Sequence, residues 1–301
     1  MNERTWLKKY TGSLRGRRVA VTGATGGIGR ELCRHLLGLE ATLVLLDRNK
    51  QRSDSLRAAL LEEFPAADVS QIPLDLASMP SVRAACEALE ACPPDVLIHN
   101  AGAYSIPRCR CETGYDNVFQ INFASPYYIT RRLLPHMRKR AGAHVVVVGS
   151  IAHRYSRTDG QDVDFSTRRA ASLVYGNAKR YLMLGMQALF RDEREVTLSV
   201  VHPGITLTGI TAHYPPALFA LIKHPMKVIF MPPRVAALSL LRGVFEPTPE
   251  GFWLGPWCLD VWGRPTMRRL YGCSDKEKKD VAARAEQVWW VMNGGETPLK
   301  L

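Results

Sequence analysis

Long apolar runs are missing from this chain of 301 residues. No window of roughly 18 or more uninterrupted apolar residues occurs, so a membrane-spanning helix is not expected. The amino terminus, MNERTWLKKYTGSLRGRR, has no apolar core of secretory type. Metal-binding patterns are missing too. Of seven cysteines the tightest pair, Cys109 and Cys111, lacks the two-residue spacer of a zinc knuckle, and no second pair repeats it. No metal is expected, and a reduced, cytoplasmic protein is the plain reading. Acidic residues are in deficit: 28 Asp and Glu face 40 Lys and Arg, a formal charge of +12. Aromatics make up 8 % and do not interleave with the basic residues in a repeated pattern, so no specific nucleic acid is expected. The positive excess permits peripheral contact with anionic lipid, while saying nothing about fold. Its densest cluster, Arg131, Arg132, Arg138, Lys139 and Arg140, reads equally as a solvated helix end. Internal repeats, low-complexity tracts and a domain linker are absent, so residues 1–301 read as one domain.

What remains is a chain with 46 % apolar residues, ample for a core. Short apolar strands at 18–22, 41–46, 69–74, 95–99, 144–149 and 196–201 alternate with helical periods. Helices are expected at 28–39, from 48 to 61, at 81–91, near 115–140 and near 174–192. Strands of this length separated by helices imply an α/β protein of Rossmann type: a doubly wound parallel sheet with helices on both faces. The remainder is less regular. Prolines punctuate residues 205–235, Gly251–Gly255 opens a last strand or a turn, and residues 276–292 carry an apolar helical stripe.

After the first strand comes Thr22-Gly23-Ala24-Thr25-Gly26-Gly27-Ile28-Gly29. Gly23 relieves a tight turn; Gly27 and Gly29 let backbone approach closely. The helix that follows offers amide donors and a favourable dipole to a pyrophosphate. No Gly-Lys-Ser/Thr follows, which disfavours triphosphate hydrolysis. Asp47 closes the second strand. Its carboxylate is placed to accept both hydroxyls of an adenosine ribose and to repel a 2′-phosphate, favouring NAD over NADP. Arg48 beside it is placed to pair with that phosphate, and Asp47 also reads as a strand-end cap.

Tyr175 and Lys179 lie four apart on a helical segment and share a face. A cation near a phenol favours the phenolate, which can exchange a proton with a carbonyl or alcohol oxygen. Ser150 lies in Val148-Gly149-Ser150-Ile151-Ala152, without the Gly-x-Ser-x-Gly of a hydrolase nucleophile.

Taken in order, these motifs resemble the short-chain dehydrogenase/reductase family over roughly residues 15–210. The quoted turn matches the cofactor motif. Asn100-Ala101-Gly102, Asn122, Ser150, Tyr175-Gly176-Asn177-Ala178-Lys179 and Pro203-Gly204 with Thr208 beyond follow in sequence. The resemblance implies Tyr175 as acid/base and Ser150 as the group that polarises the substrate oxygen. It implies Lys179 on the nicotinamide ribose and Asn122 on a proton relay. Asp75 would lie beside adenine, Asn100 and Gly102 along the cofactor, and Pro203, Gly204 and Thr208 near the nicotinamide. The interval of 25 positions between Ser150 and Tyr175, with Ile151-Ala152-His153, is similar to the retinol-dehydrogenase-like branch. Asp47 and Gly149 depart from that branch.

The activity implied is hydride transfer between a nicotinamide and a lipophilic alcohol or ketone, a retinoid or steroid among the candidates. Residues 205–235, with Leu207, Ile210, Tyr214, Leu218, Phe219, Ile222 and Phe230, are expected to cover the substrate. A homo-oligomer is implied, pairing through the helices that carry Asn122 and Tyr175. A cofactor-binding regulatory protein without turnover, an epimerase and a light-dependent reductase stay open as alternatives.

Overall fold

The computed structural model describes residues 3–206 and 230–295. Eight strands form one sheet in the order β3-β2-β1-β4-β5-β6-β7-β8. They are β1 (Arg18–Thr22), β2 (Thr42–Asp47), β3 (Val69–Pro73), β4 (Val96–His99), β5 (His144–Val148), β6 (Thr197–Val201), β7 (Phe252–Cys258) and β8 (Trp262–Arg269). Every pairing is parallel except the last, β7 with β8. The first six strands are the six read from the sequence. The region opened by Gly251 instead makes an antiparallel hairpin, which adds a strand at the edge.

The strands are apolar on both faces because helices cover both. Val19, Val21, Leu43, Leu45, Val146 and Val148 face one cluster, and Ala20, Val44, Leu46, Val145 and Val147 the other. On the first face lie α1 (Glu3–Tyr10), α2 (Gly27–Gly38), α3 (Lys50–Glu63) and α7 (Pro233–Phe245). Sequence periodicity misses α1, which docks through the single buried Trp6. On the second face lie α4 (Met79–Ala91), α5 (Ser125–Met137), α6 (Ala171–Leu189) and α8 (Asp275–Met292). The expected helix near 115–140 is interrupted: Gln120–Ala124 form a π turn before α5 begins. Such turns displace the following register and recur at functional sites.

Helix α8 starts at Ser274, whose Oγ accepts from the Glu277 amide at 3.2 Å. It lies across α5 and α6. Val281, Ala285 and Val288 are buried, Trp289 packs its ring on Tyr128, and Glu286 binds Tyr127 and Arg131. The four arginines of the basic cluster are all paired in this way. Arg132 pairs with Glu90 (2.7 Å), Arg138 with Glu193 (2.7 Å) and Arg140 with Asp95 (2.9 Å).

Candidate active site

Strand order reverses between β1 and β4, and ligands of such sheets bind outside the carboxyl ends at that point. The two turns there are tied together. Asn100 donates from Nδ2 to the Thr22 and Gly23 carbonyls (3.1 and 2.9 Å), and the Ala101 amide donates to Thr22 Oγ1 (3.0 Å). Asn100 therefore fixes the phosphate turn from behind. Gly23 has φ +65, and a Cβ there would stand 2.9 Å from Ala101 Cα, so both conformation and space require glycine. Gly26 and Gly27 are exposed at the start of α2, Ile28 is half-buried on the core, and Gly29 is buried. This is an open amide terminus of the kind that holds a diphosphate, so these residues fit a dinucleotide.

On the other side of the switch point, Asn122 sits within the π turn, fully buried. Its Nδ2 donates to Ala103 O and Val118 O (both 2.8 Å), and its Oδ1 accepts from the Ala103 amide (3.3 Å). Gly102 lies against Asn122 Oδ1 and Lys179 Nζ. Lys179 is buried on α6, and its ammonium donates to Val148 O at 2.9 Å, leaving further donor positions open. Burial without a counter-charge brings its pKa down to about 7. Nζ lies 5.6 Å from the centre of the Tyr175 ring. Burial pushes the Tyr175 phenol up to about 12, against the opposing pull of a hydrogen bond with Ser150. Ser150 itself caps the 3₁₀ turn Ile151–Tyr155 through the Ala152 amide (3.2 Å). Gly176 lets α6 come into contact with the Ala152 carbonyl, which sets Tyr175 beside that turn. Asn122, Ser150, Tyr175 and Lys179 are thus gathered at one place from three separate elements.

Other expected residues fall as follows. Asp75 accepts from the Ala77 amide (3.0 Å) in the turn leading to α4. Pro203 is buried, and Gly204, at φ +83, packs on the Val261 carbonyl. Thr208 and most of the expected substrate cover lie outside the described residues, from Leu207 to Ile222; Phe230 is described and half-buried. His153 is structural: its ring meets Trp253 edge-on, with Nδ1 at 2.8 Å from Ser150 O and Nε2 at 3.2 Å from Tyr271 O.

Two partners escape sequence reasoning. Tyr104 stacks edge-to-face on Tyr175 with centroids 5.3 Å apart. Arg180 is buried beside Lys179, pairs with Glu277 of α8 (2.5 Å) and donates to His153 O (2.7 Å). The signal for Arg180 was a charge inside an apolar helix; nothing in sequence pointed to its distant partner.

Fold and site together have the arrangement of the short-chain dehydrogenase type. The family described as short chain dehydrogenase matches residues 17–217, and the chain belongs to it. Mouse retinol dehydrogenase 14 is 32 % identical over 216 residues, 67 % of this chain and 65 % of that protein, so the match spans just under two thirds of the relative. Mouse polyprenol dehydrogenase is 30 % identical over 78 % of this chain and 73 % of its own length. Among solved structures, the Pseudomonas aeruginosa RhlG/NADP complex superposes with a TM-score of 0.59 at 25 % identity, covering 78 % of this chain and 91 % of that one.

The expected preference for NAD is overturned. The Pseudomonas complex holds NADP, and other solved structures of this fold hold NADP or NADPH. The physical reason lies at Asp47. Its Oδ1 already accepts from Thr25, from the amide at 3.0 Å and from Oγ1 at 2.8 Å, and the residue is 5 % exposed. Burial raises the pKa of this carboxyl. Asp47 clamps the phosphate turn through Oδ1, while Arg48 beside it is exposed.

Proposed function

We propose that this chain is an NADP(H)-dependent oxidoreductase that interconverts a lipophilic alcohol and its carbonyl. The observation that carries the reading is the gathering of half-buried Ser150 with buried Tyr175 and Lys179 at one place, the lysine ammonium 5.6 Å from the centre of the phenol ring. Bound nicotinamide supplies or accepts the hydride. The chain's own residues handle the proton. Tyr175 gives it to the carbonyl oxygen in reduction and takes it from the hydroxyl in oxidation. Ser150 donates to the same oxygen as charge develops. Lys179 holds a ribose hydroxyl and favours the phenolate. Asn122 anchors the π turn and the relay behind Lys179. Gly23, Gly27, Ile28 and Gly29 cradle the diphosphate, and Arg48 pairs with the 2′-phosphate. Asp75 would border the adenine, Asn100 and Gly102 would floor the cofactor, and Pro203 and Gly204 would flank the nicotinamide, with Thr208 outside the described residues.

The substrate class rests on likeness to dehydrogenases of retinol and polyprenol. Seven free thiols suit a reducing, cytoplasmic compartment. Among the described residues no helix is long and apolar enough to cross a membrane. The homo-oligomer implied by the resemblance would have to accommodate α8, which lies across α5 and α6. The test is a panel of retinoid, steroid and polyprenoid alcohols and carbonyls with NADP(H), followed at the nicotinamide absorbance, for the natural chain and Tyr175→Phe. Turnover that survives the substitution overturns the mechanism; no turnover on any member overturns the substrate class.

A further inference from the structure

The β7–β8 hairpin displays large apolar side chains that stay exposed among the described residues. Trp257 is 62 % exposed, Leu259 76 % and Trp262 40 %. Tyr155, next to the Arg154 that binds Asp260 in the turn, and Tyr271, two residues past β8, are each 60 % exposed. The tip is built rather than loose. Leu259 and Asp260 both have positive φ (53 and 61), and the Val261 amide donates to Cys258 O at 2.9 Å. Positive φ in a tight turn suits Gly or Asn and is costly for leucine. Among the described residues the leucine side chain there is left largely in solvent. Asp260 is buried and holds the turn from within, bound by Arg154 (2.7 Å) and Arg268 (2.9 Å).

The surroundings are basic. Between Phe252 and Cys273 the only carboxylate is the buried Asp260, against Arg264, Arg268 and Arg269, and Arg154 joins the patch through Asp260. Trp and Tyr at a basic surface match the headgroup level of a bilayer carrying anionic lipid. Location agrees. β7 runs parallel to β6, so the turn stands at the carboxyl edge of the sheet, where Ser150 also stands. Val261 O accepts from the Ile205 amide (3.3 Å), and Arg154 lies four residues beyond Ser150.

The geometry points to the β7–β8 hairpin as a docking surface for an anionic phospholipid bilayer, with Leu259 and the two tryptophans at headgroup depth. Docked in this way, the active-site edge faces the phase in which a lipophilic alcohol dissolves. That consequence rests on the proposed function; the docking does not.

The test is co-sedimentation of the full chain with vesicles of phosphatidylcholine, with and without phosphatidylserine. Leu259→Asn removes the apolar side chain and suits positive φ, so it should keep or raise the thermal midpoint. Expected are binding to the phosphatidylserine vesicles that falls with salt, roughly tenfold weaker binding for Leu259→Asn, and unchanged binding for Trp290→Ser, an exposed tryptophan on α8. A natural chain that stays in the supernatant overturns the proposal. So does equal binding by Leu259→Asn, or equal loss with Trp290→Ser. Self-association lost in Leu259→Asn, without vesicle binding, assigns the patch to a second copy instead. Binding is read without turnover, so a chain inactive on every alcohol still decides the question.

Discussion

Strands β1 and β8 belong to one sheet and live in different surroundings. β1 has a neighbour on each side and helices above and below, and four of its five residues are buried. β8 has one neighbour, and two of its eight residues are buried. The parallel part spends its turns on binding: Gly23, Asn100 and Ser150 all sit at strand ends facing the crevice. The hairpin ends in side chains that face outward. One part is organised around a ligand within the molecule, the other around a surface outside it.

The largest expected effect tests the parallel part. Tyr175→Phe should lower turnover about 10³-fold while NADPH binding, followed by nicotinamide fluorescence, persists. Equal loss of binding would make Tyr175 a cofactor anchor rather than a proton donor.

The next effect tests the bridge between the two regions. Arg180 is buried on the catalytic helix, and Glu277 reaches it from α8. Glu277→Ala should cost about 3 kcal/mol in denaturant unfolding, because it leaves a buried guanidinium without its anion. A loss below about 1 kcal/mol would mean that α8 is dispensable to the catalytic face.

Glycine-to-alanine changes then separate the regions directly. A Cβ at Gly29 would collide with the Gly23 carbonyl, so Gly29→Ala should cost about 2 kcal/mol and weaken NADPH binding. Gly251, at φ +80 beside β7, has open space, so Gly251→Ala should cost about 1 kcal/mol from backbone strain and leave NADPH binding alone. Equal effects on binding would contradict the division.

Acid should act on the parallel part as well. Burial holds His99 at about 3, His144 at about 4 and His202 at about 3, against 6.5 when exposed. Folded pKa values below unfolded ones mean that the unfolded chain takes up protons the native one refuses. The stability is fully present above pH 6.5. It falls as pH drops from there towards 4, by about 1.4 kcal/mol per pH unit for each histidine. Residues 230–295 contain no histidine. Thermal melts between pH 7 and 4 read the slope, and His144→Gln should flatten it. The smallest effect is local opening: amides of β8 should exchange before those of β1 and β4.

Much of this was legible in the sequence. Strand positions followed from short apolar runs, because a strand covered on both faces has no polar side to interrupt them. The phosphate turn followed from glycine spacing, and the pair Tyr175 and Lys179 from helical periodicity. The hairpin as a pair of strands was not legible, because Pro256, Pro265 and irregularly spaced tryptophans and arginines give no clean period. The coenzyme was misread for a related reason. A carboxylate at a strand end has the same one-letter code whether it faces a ribose or, as Asp47 does, its own turn.

By itself the sequence determined the order of elements, the parallel sheet and the residue types of the site, since each is written in local spacing. Only the tertiary structure decided what each charged group faces. Glu90, Glu193 and Asp95 pair with arginines of the basic cluster from 42 to 55 positions away. Glu277 reaches Arg180 across 97 positions, and Arg154 and Asp260 meet across 106. Charge pairing depends on distances in space, which local spacing does not encode. The net +12 is therefore not concentrated at the arginines of α5 and its basic end, which are paired, and part of it accompanies exposed tryptophan at the hairpin.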